Sequence, residues 1–193
     1  MISTRLINIP ETFKITQKQF KKIAIANKDL RLEKTAKGEL IIMPPTGGNT
    51  GRRNLNLGYQ VYAWNEKYQL GVAFDSSTAF HLPNGADRSP DVAWIKLERW
   101  EALTPEERDD FSPICPDFVI ELRSKTDSMK TLREKMQEYL ENGLQLGWLI
   151  DPKNKKVEIY RANREVEVLL NPTHLFGEDV LPEFILDLEK VFN

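Results

Sequence analysis

The run Asp117-Phe118-Val119-Ile120-Glu121-Leu122-Arg123 sets the strongest constraint on how this chain folds. Its apolar part is β-branched and does not alternate, which suits a strand buried on both faces, so residues 116–122 predict a central strand of a sheet. A charge there is costly unless something pairs or binds it. Glu121 and Arg123 nevertheless interrupt the run, and alternation puts both on one face. Asp117 shares that face, but four residues of strand span roughly 13 Å, too far for Asp117 and Glu121 to hold one ion. The partner of Glu121 must come from a neighbouring strand. Asp91 is the best candidate, because Ser89-Pro90-Asp91 opens a second apolar run, Val92-Ala93-Trp94-Ile95, and the chain order allows the two strands to lie side by side. Two carboxylates on adjacent strands make a hard-oxygen site suited to Mg²⁺ or Mn²⁺. A metal so held lowers the pKa of its bound water and neutralises charge developing on a phosphodiester.

The remaining segments read as alternating strands and helices. Thr16 with Gln19 forms a capping-box pattern and predicts a helix over about 16–27. Residues 30–33 and 39–43 flank Lys37-Gly38 and predict two strands joined by a tight turn. The glycine-rich run Thr46–Gly51 lacks the Gly-Lys-Ser/Thr ending of a P-loop and reads as a flexible connector. Leu57, Val61, Trp64 and Tyr68 recur at helical spacing from Arg52 onward. Strand-like runs at 72–74, 78–82 and 91–95, with Pro83-Asn84-Gly85 as a turn, predict a meander. Residues 98–113 read as a surface insertion with one helical turn, capped by Thr104 before Pro105. Met129, Leu132, Met136, Tyr139 and Leu140 share one side of a helix that ends at Gly143. Residues 146–150 and 157–160 read as a hairpin, and 167–170 and 184–186 as an edge strand and a closing segment.

Length and composition narrow the function. At 193 residues, a single domain with peripheral insertions is the economical reading, and 40% hydrophobic residues suffice for a real core. Only His81 and His174 are present, so a His-rich zinc site or an H-E-x-x-H peptidase is excluded, and any metal must be held by carboxylates. The net charge of −2 does not advertise a nucleic-acid binder, although a local basic rim from Arg52-Arg53, Arg88 and Lys153–Lys156 is compatible with it. The single cysteine, Cys115, lies among apolar residues and reads as core filler. The N-terminus lacks the apolar run of a signal peptide and no stretch approaches about 18 apolar residues, so a cytoplasmic protein without a membrane span is expected.

These residues also carry a family resemblance. Gly38-Glu39-Leu40, Pro44-Pro45-Thr46-Gly47-Gly48, Gly85-Ala86-Asp87-Arg88-Ser89-Pro90-Asp91, Asp117 to Ser124, Lys135-Met136-Gln137-Glu138-Tyr139 and Gly147 to Pro152 follow in order over about residues 30–165. The set resembles the putative restriction endonuclease family, within the PD-(D/E)XK nuclease superfamily. The resemblance implies one nuclease-like domain over 1–193, with residues 166–193 as a C-terminal extension. It implies an α/β (α+β) restriction-endonuclease-like core, a mixed central β-sheet flanked by helices. It further implies Mg²⁺ (or Mn²⁺) at Asp91 and Glu121, hydrolysis of nucleic acid, DNA above all, and a homodimer by analogy. The superfamily motif places Lys two positions after the acidic residue, where this chain has Arg123, which is effectively never deprotonated and cannot be a general base. Arg123 can still orient water or stabilise a phosphoryl oxygen. Lys135, at the edge of the next helix's apolar face, is the candidate displaced lysine. Lys125 is nearer but sits in the polar connector, and Gln137 reads as solvent-facing. Glu39, alternating with Ile41 and Met43, is a candidate third carboxylate. Two alternatives use the same residues: a catalytically silent DNA-binding or regulatory module, and a hydrolase of nucleotides or another phosphoester.

Overall fold

The structure is a computed structural model and describes residues 5–7 and 14–193. Its elements are β1 (Arg5–Ile7), α1 (Gln17–Ala26), β2 (Arg31–Lys34), β3 (Leu40–Met43), α2 (Gly48–Tyr68), β4 (Gly71–Asp75), β5 (Phe80–His81), β6 (Asp87–Arg88) and β7 (Val92–Lys96). There follow α3 (Leu97–Glu101), α4 (Pro105–Asp109), β8 (Phe118–Leu122), α5 (Met129–Glu141), β9 (Leu146–Asp151), β10 (Lys156–Arg161), β11 (Glu167–Leu170), β12 (His174–Phe176), β13 (Ile185–Asp187) and α6 (Glu189–Phe192).

The unalternating apolar run becomes β8, buried at all five residues, in the interior of a six-stranded sheet of order β11-β10-β9-β8-β7-β4. Most pairings are antiparallel, but β8 and β9 run parallel, so the sheet is mixed. Parallel neighbours require a crossover, and α5 supplies it. Gly147 on β9 faces α5, and an added Cβ would meet the side-chain ends of Met136 and Leu144 at 2.5 and 2.9 Å. One face of the sheet packs Trp94, Phe118, Trp148 and Ile150 against α2 and the C-terminal segment that ends in α6. The other face packs Ala93, Ile95, Val119 and Leu149 against Met136 and Tyr139 of α5. Asp91 and Glu121 continue the second face by alternation.

A second sheet, of order β1-β3-β2-β6-β5, lies beyond the first, with Phe20 of α1 packed against its Leu32 and Leu40. The hairpin of β2 and β3 and the capping box of α1 form as the sequence predicts, and Thr104 caps α4 by the same device. Two local expectations are corrected. Residues 72–74, 78–82 and 91–95 do not make a meander: β4 pairs with β7 directly, whereas β5 leaves to pair with β6 in the second sheet. The redirection starts at Asp75, whose Oδ1 accepts from the amide of Ser77 at 3.0 Å and its hydroxyl at 2.6 Å, a local turn that ends β4. The glycine-rich connector is also shorter than expected. Helix α2 begins at Gly48, and the amide of Gly51 already donates to the carbonyl of Gly47 at 3.0 Å.

Helix α5 is tied to the sheet by a buried acid. Arg133 makes three hydrogen bonds to Glu158 of β10, at 2.7, 3.0 and 3.2 Å, and Lys156 and Tyr160 reach the same carboxylate at 2.9 and 3.0 Å. Burial alone raises the Glu158 carboxyl, but hydrogen bonds from Arg133, Lys156 and Tyr160 outweigh it and bring the pKa down to about 2. A carboxyl lowered on folding stabilises the fold above its unfolded pKa, and that stabilisation is lost as pH falls through the folded value. Glu158→Gln should therefore unfold at lower urea than the parent near neutral pH, with the gap closing between roughly pH 5 and about pH 2. A gap of constant size across that range would contradict the assignment.

Candidate active site

The pairing of β7 with β8 builds the centre of the site. Val92 stands opposite Ile120, so one step further along the antiparallel ladder Asp91 stands opposite Glu121. Asp91 is half-buried; its Oδ2 accepts from the amide of Leu122 at 2.8 Å and its Oδ1 from Asn54 Nδ2 of α2 at 2.8 Å. The Oδ1 atom of Asn54 is itself buried with no hydrogen-bond partner among the described residues. Glu121 is buried, and its Oε1 receives the Tyr139 hydroxyl at 3.1 Å and the Lys135 ammonium at 2.8 Å, both from α5. Lys135 also donates to Glu33 Oε1 at 2.8 Å and to the carbonyl of Ser89 at 3.4 Å.

The charges respond to this packing in two ways. Burial pushes Glu121 up to about 7, helped by the negative charges of Asp91 and Glu33 and opposed by Lys135. Burial likewise raises Asp91, against the Leu122 amide and Lys135. Burial would lower Lys135, but Glu121 and Glu33 prevail and raise it, so it stays an ammonium. Burial would raise Glu33, but Lys135 and Arg88 prevail and lower it. The result is an ionised Glu33–Lys135 pair beside two carboxylates that lack sufficient positive charge.

The structure thus brings together three of the residues singled out in the sequence, Asp91, Glu121 and Lys135. It takes two others elsewhere. Arg123 donates from Nη1 to Asp151 Oδ2 at 2.7 Å and from Nε to the carbonyl of Asp127 at 3.4 Å, so it clamps the turn after β8 to the end of β9. Glu39 accepts from the Thr35 hydroxyl at 3.0 Å within the β2–β3 turn, and the carboxylate that meets Lys135 is Glu33. Among the described residues no group of three or more His, Cys, Asp or Glu side chains is arranged to hold a metal ion. Asp117 is engaged by the amide of Lys96 and by Arg99, and Gln137 is exposed and bonded to Glu141.

Of the basic rim, Arg88 does not face solvent. Arg88 is buried against Glu33 and Glu138, Arg53 binds the carbonyl of Val191, and Arg52 binds that of Asn193. Cys115 is core, its thiol pushed up to about 12 by burial. No helix among the described residues is long and apolar enough to cross a membrane. Sequence patterns do not mark Glu33 or Asn54 as site residues, and they mark Tyr139 only as part of its helix's apolar side and of the family-like run 135–139. Glu33 left one usable signal, a charge in the strand Arg31–Lys34 whose neighbour Leu32 is core.

A mixed sheet flanked by helices, with acids on adjoining strands and a lysine on the crossover helix, is a restriction-endonuclease-like α/β fold. The chain belongs to the Uma2 family, described as "Putative restriction endonuclease", whose model matches residues 17–189. Its fold is similar to the crystal structure of a putative nuclease belonging to DUF820 from Anabaena variabilis, with a TM-score of 0.71 and 23% sequence identity over 83% of this chain and 89% of that one. No curated protein matches the chain.

Proposed function

We propose that the chain is a divalent-cation-dependent endonuclease that hydrolyses phosphodiester bonds of DNA at Asp91 and Glu121. The observation that carries this reading is the pair itself, two acids facing each other across β7 and β8 and pushed toward the neutral form by burial. Such a pair gains most from a cation that restores both charges. The donor set fits Mg²⁺ or Mn²⁺. Asp91 and Glu121 would hold the ion by carboxylate oxygens, the contacts of Tyr139 and Lys135 to Glu121 both falling on Oε1, and the amide that bonds Asp91, Asn54, has a buried Oδ1 without a partner among the described residues. When bound, the ion supplies Lewis acidity toward water and a phosphoryl oxygen.

The chain's own groups perform the rest. Lys135, held as an ammonium, serves as a fixed positive charge and hydrogen-bond donor toward a phosphoryl or leaving oxygen, not as a base. Tyr139 and the Leu122 amide hold the two acids in place. Arg123 acts at one remove, keeping the loop after β8 folded over Asp151.

The test incubates pure protein with supercoiled plasmid, single-stranded DNA and RNA, in Mg²⁺, Mn²⁺ or EDTA. Cutting of DNA that requires the metal supports the reading. DNA binding without cutting would favour the silent module instead, and mononucleotides hydrolysed in preference to DNA would assign a smaller phosphoester substrate. Protein that neither cuts nor binds metal overturns the proposal.

A further inference from the structure

Lys135 ends a long flexible side chain, and ordering such a chain costs roughly 2 kcal/mol of rotamer entropy. Its ammonium has three protons, and among the described residues it meets three oxygens: Glu121 Oε1 at 2.8 Å, Glu33 Oε1 at 2.8 Å and the Ser89 carbonyl at 3.4 Å. Glu33 is fixed in turn. Its Oε1 also accepts from the amide of Ser89 at 2.9 Å, and its Oε2 accepts from Arg88 Nη1 at 3.1 Å. Arg88 then turns its Nε to Glu138 Oε2 at 2.5 Å. Glu138 lies three residues after Lys135 on the same helix, so Lys135, Glu33, Arg88 and Glu138 close a ring that starts and ends on one turn of α5. The ring joins β2 and β6 of the small sheet to the crossover helix of the large one. Its members are largely buried, with side-chain exposures of 11%, 3%, 10% and 16%.

We propose that Glu33 is the positioning residue for Lys135, with Arg88 and Glu138 as its supports, so that the small sheet serves to aim the lysine at Glu121. This rests on the nuclease reading of Asp91 and Glu121. A role for Glu33 as a further metal ligand fits less well, because two cations, Lys135 and Arg88, already balance its charge, whereas Asp91 forms no ion pair among the described residues. A merely structural role fits less well too, because the ring ends on Lys135, the cation that among the described residues touches Glu121.

The test combines a double-mutant cycle with a measurement that needs no activity. Glu33→Gln should lower kcat for plasmid cleavage about 10- to 100-fold, the range for losing a partner that orients a group in direct contact with the chemistry, with KM nearly unchanged. In a Lys135→Met background the same substitution should cost almost nothing further, because its effect runs through the lysine. In metal-free protein, nitrogen-15 NMR should show a slowly exchanging ammonium signal that Lys135→Met removes and Glu33→Gln broadens away. If Glu33→Gln does not fold, Glu138→Gln opens the ring at its most exposed member and should give the same pattern with a smaller loss. An unchanged ammonium signal, or equal rate losses with and without Lys135, overturns the proposal. Wild-type protein that cuts nothing defeats the nuclease reading alone, and the ammonium signal then decides the role of Glu33.

Discussion

Glu121→Gln is expected to abolish metal-dependent cleavage while leaving the fold intact. Glutamine keeps the shape of the side chain and an acceptor for Tyr139, but removes the charge that a cation would need. Groups that act as a unit at a reaction centre lose activity together, so a drop of roughly 10³-fold or more in kcat/KM is the expected scale. Stability should not fall with it, because burial already raises Glu121 to about 7 and a neutral group at 121 is tolerated. Cleavage rates on plasmid, measured beside thermal unfolding of the same sample, separate the two effects. A variant that cuts within tenfold of the parent would remove Glu121 from the chemistry.

The largest loss of stability is expected at Trp148. It is fully buried in β9, meets Phe118 edge-on at 4.8 Å between ring centroids, and stacks on Phe184 at 6.0 Å. Phe184 belongs to the C-terminal segment, so this one ring joins the central strands to the layer that covers them. Trp148→Ala should cost about 3–5 kcal/mol, the cost of deleting a large buried aromatic and leaving a cavity. Its indole nitrogen is buried without a hydrogen-bond partner among the described residues, so the cost arises from packing and not from a lost polar contact. Trp148→Phe should therefore recover most of the loss. Urea unfolding of the two variants checks this, and equal losses for Phe and Ala would show that packing at this ring is not what matters.

Much of this was legible in the residues because the responsible signals are local. The unalternating run at 118–122 announced a central strand, and a glutamate within it announced a partner on the next strand, which the ladder places at Asp91. Helical spacing put Lys135 at the edge of an apolar face, from which it does reach Glu121. What was missed depends on contacts between distant segments. Glu33 lies 102 residues from Lys135 and Asn54 lies 37 from Asp91, and no periodicity joins such pairs. Glu39 looked the better acid because it alternates with apolar residues, yet Thr35 across the turn satisfies it locally. The transfer of β5 to the second sheet was hidden for a related reason. A two-residue strand carries too little pattern to reveal its partner.

The most direct test of the account is a calorimetric titration of the metal-free protein with Mn²⁺ near pH 6, beside Asp91→Asn. Asp91 and Glu121 together should bind one ion per chain, and binding should release a proton, since burial pushes Glu121 up to about 7 and it must ionise to bind the ion. The substitution at Asp91 should remove that binding. Equal Mn²⁺ binding by both proteins, or none by the parent, would contradict a metal site at this pair.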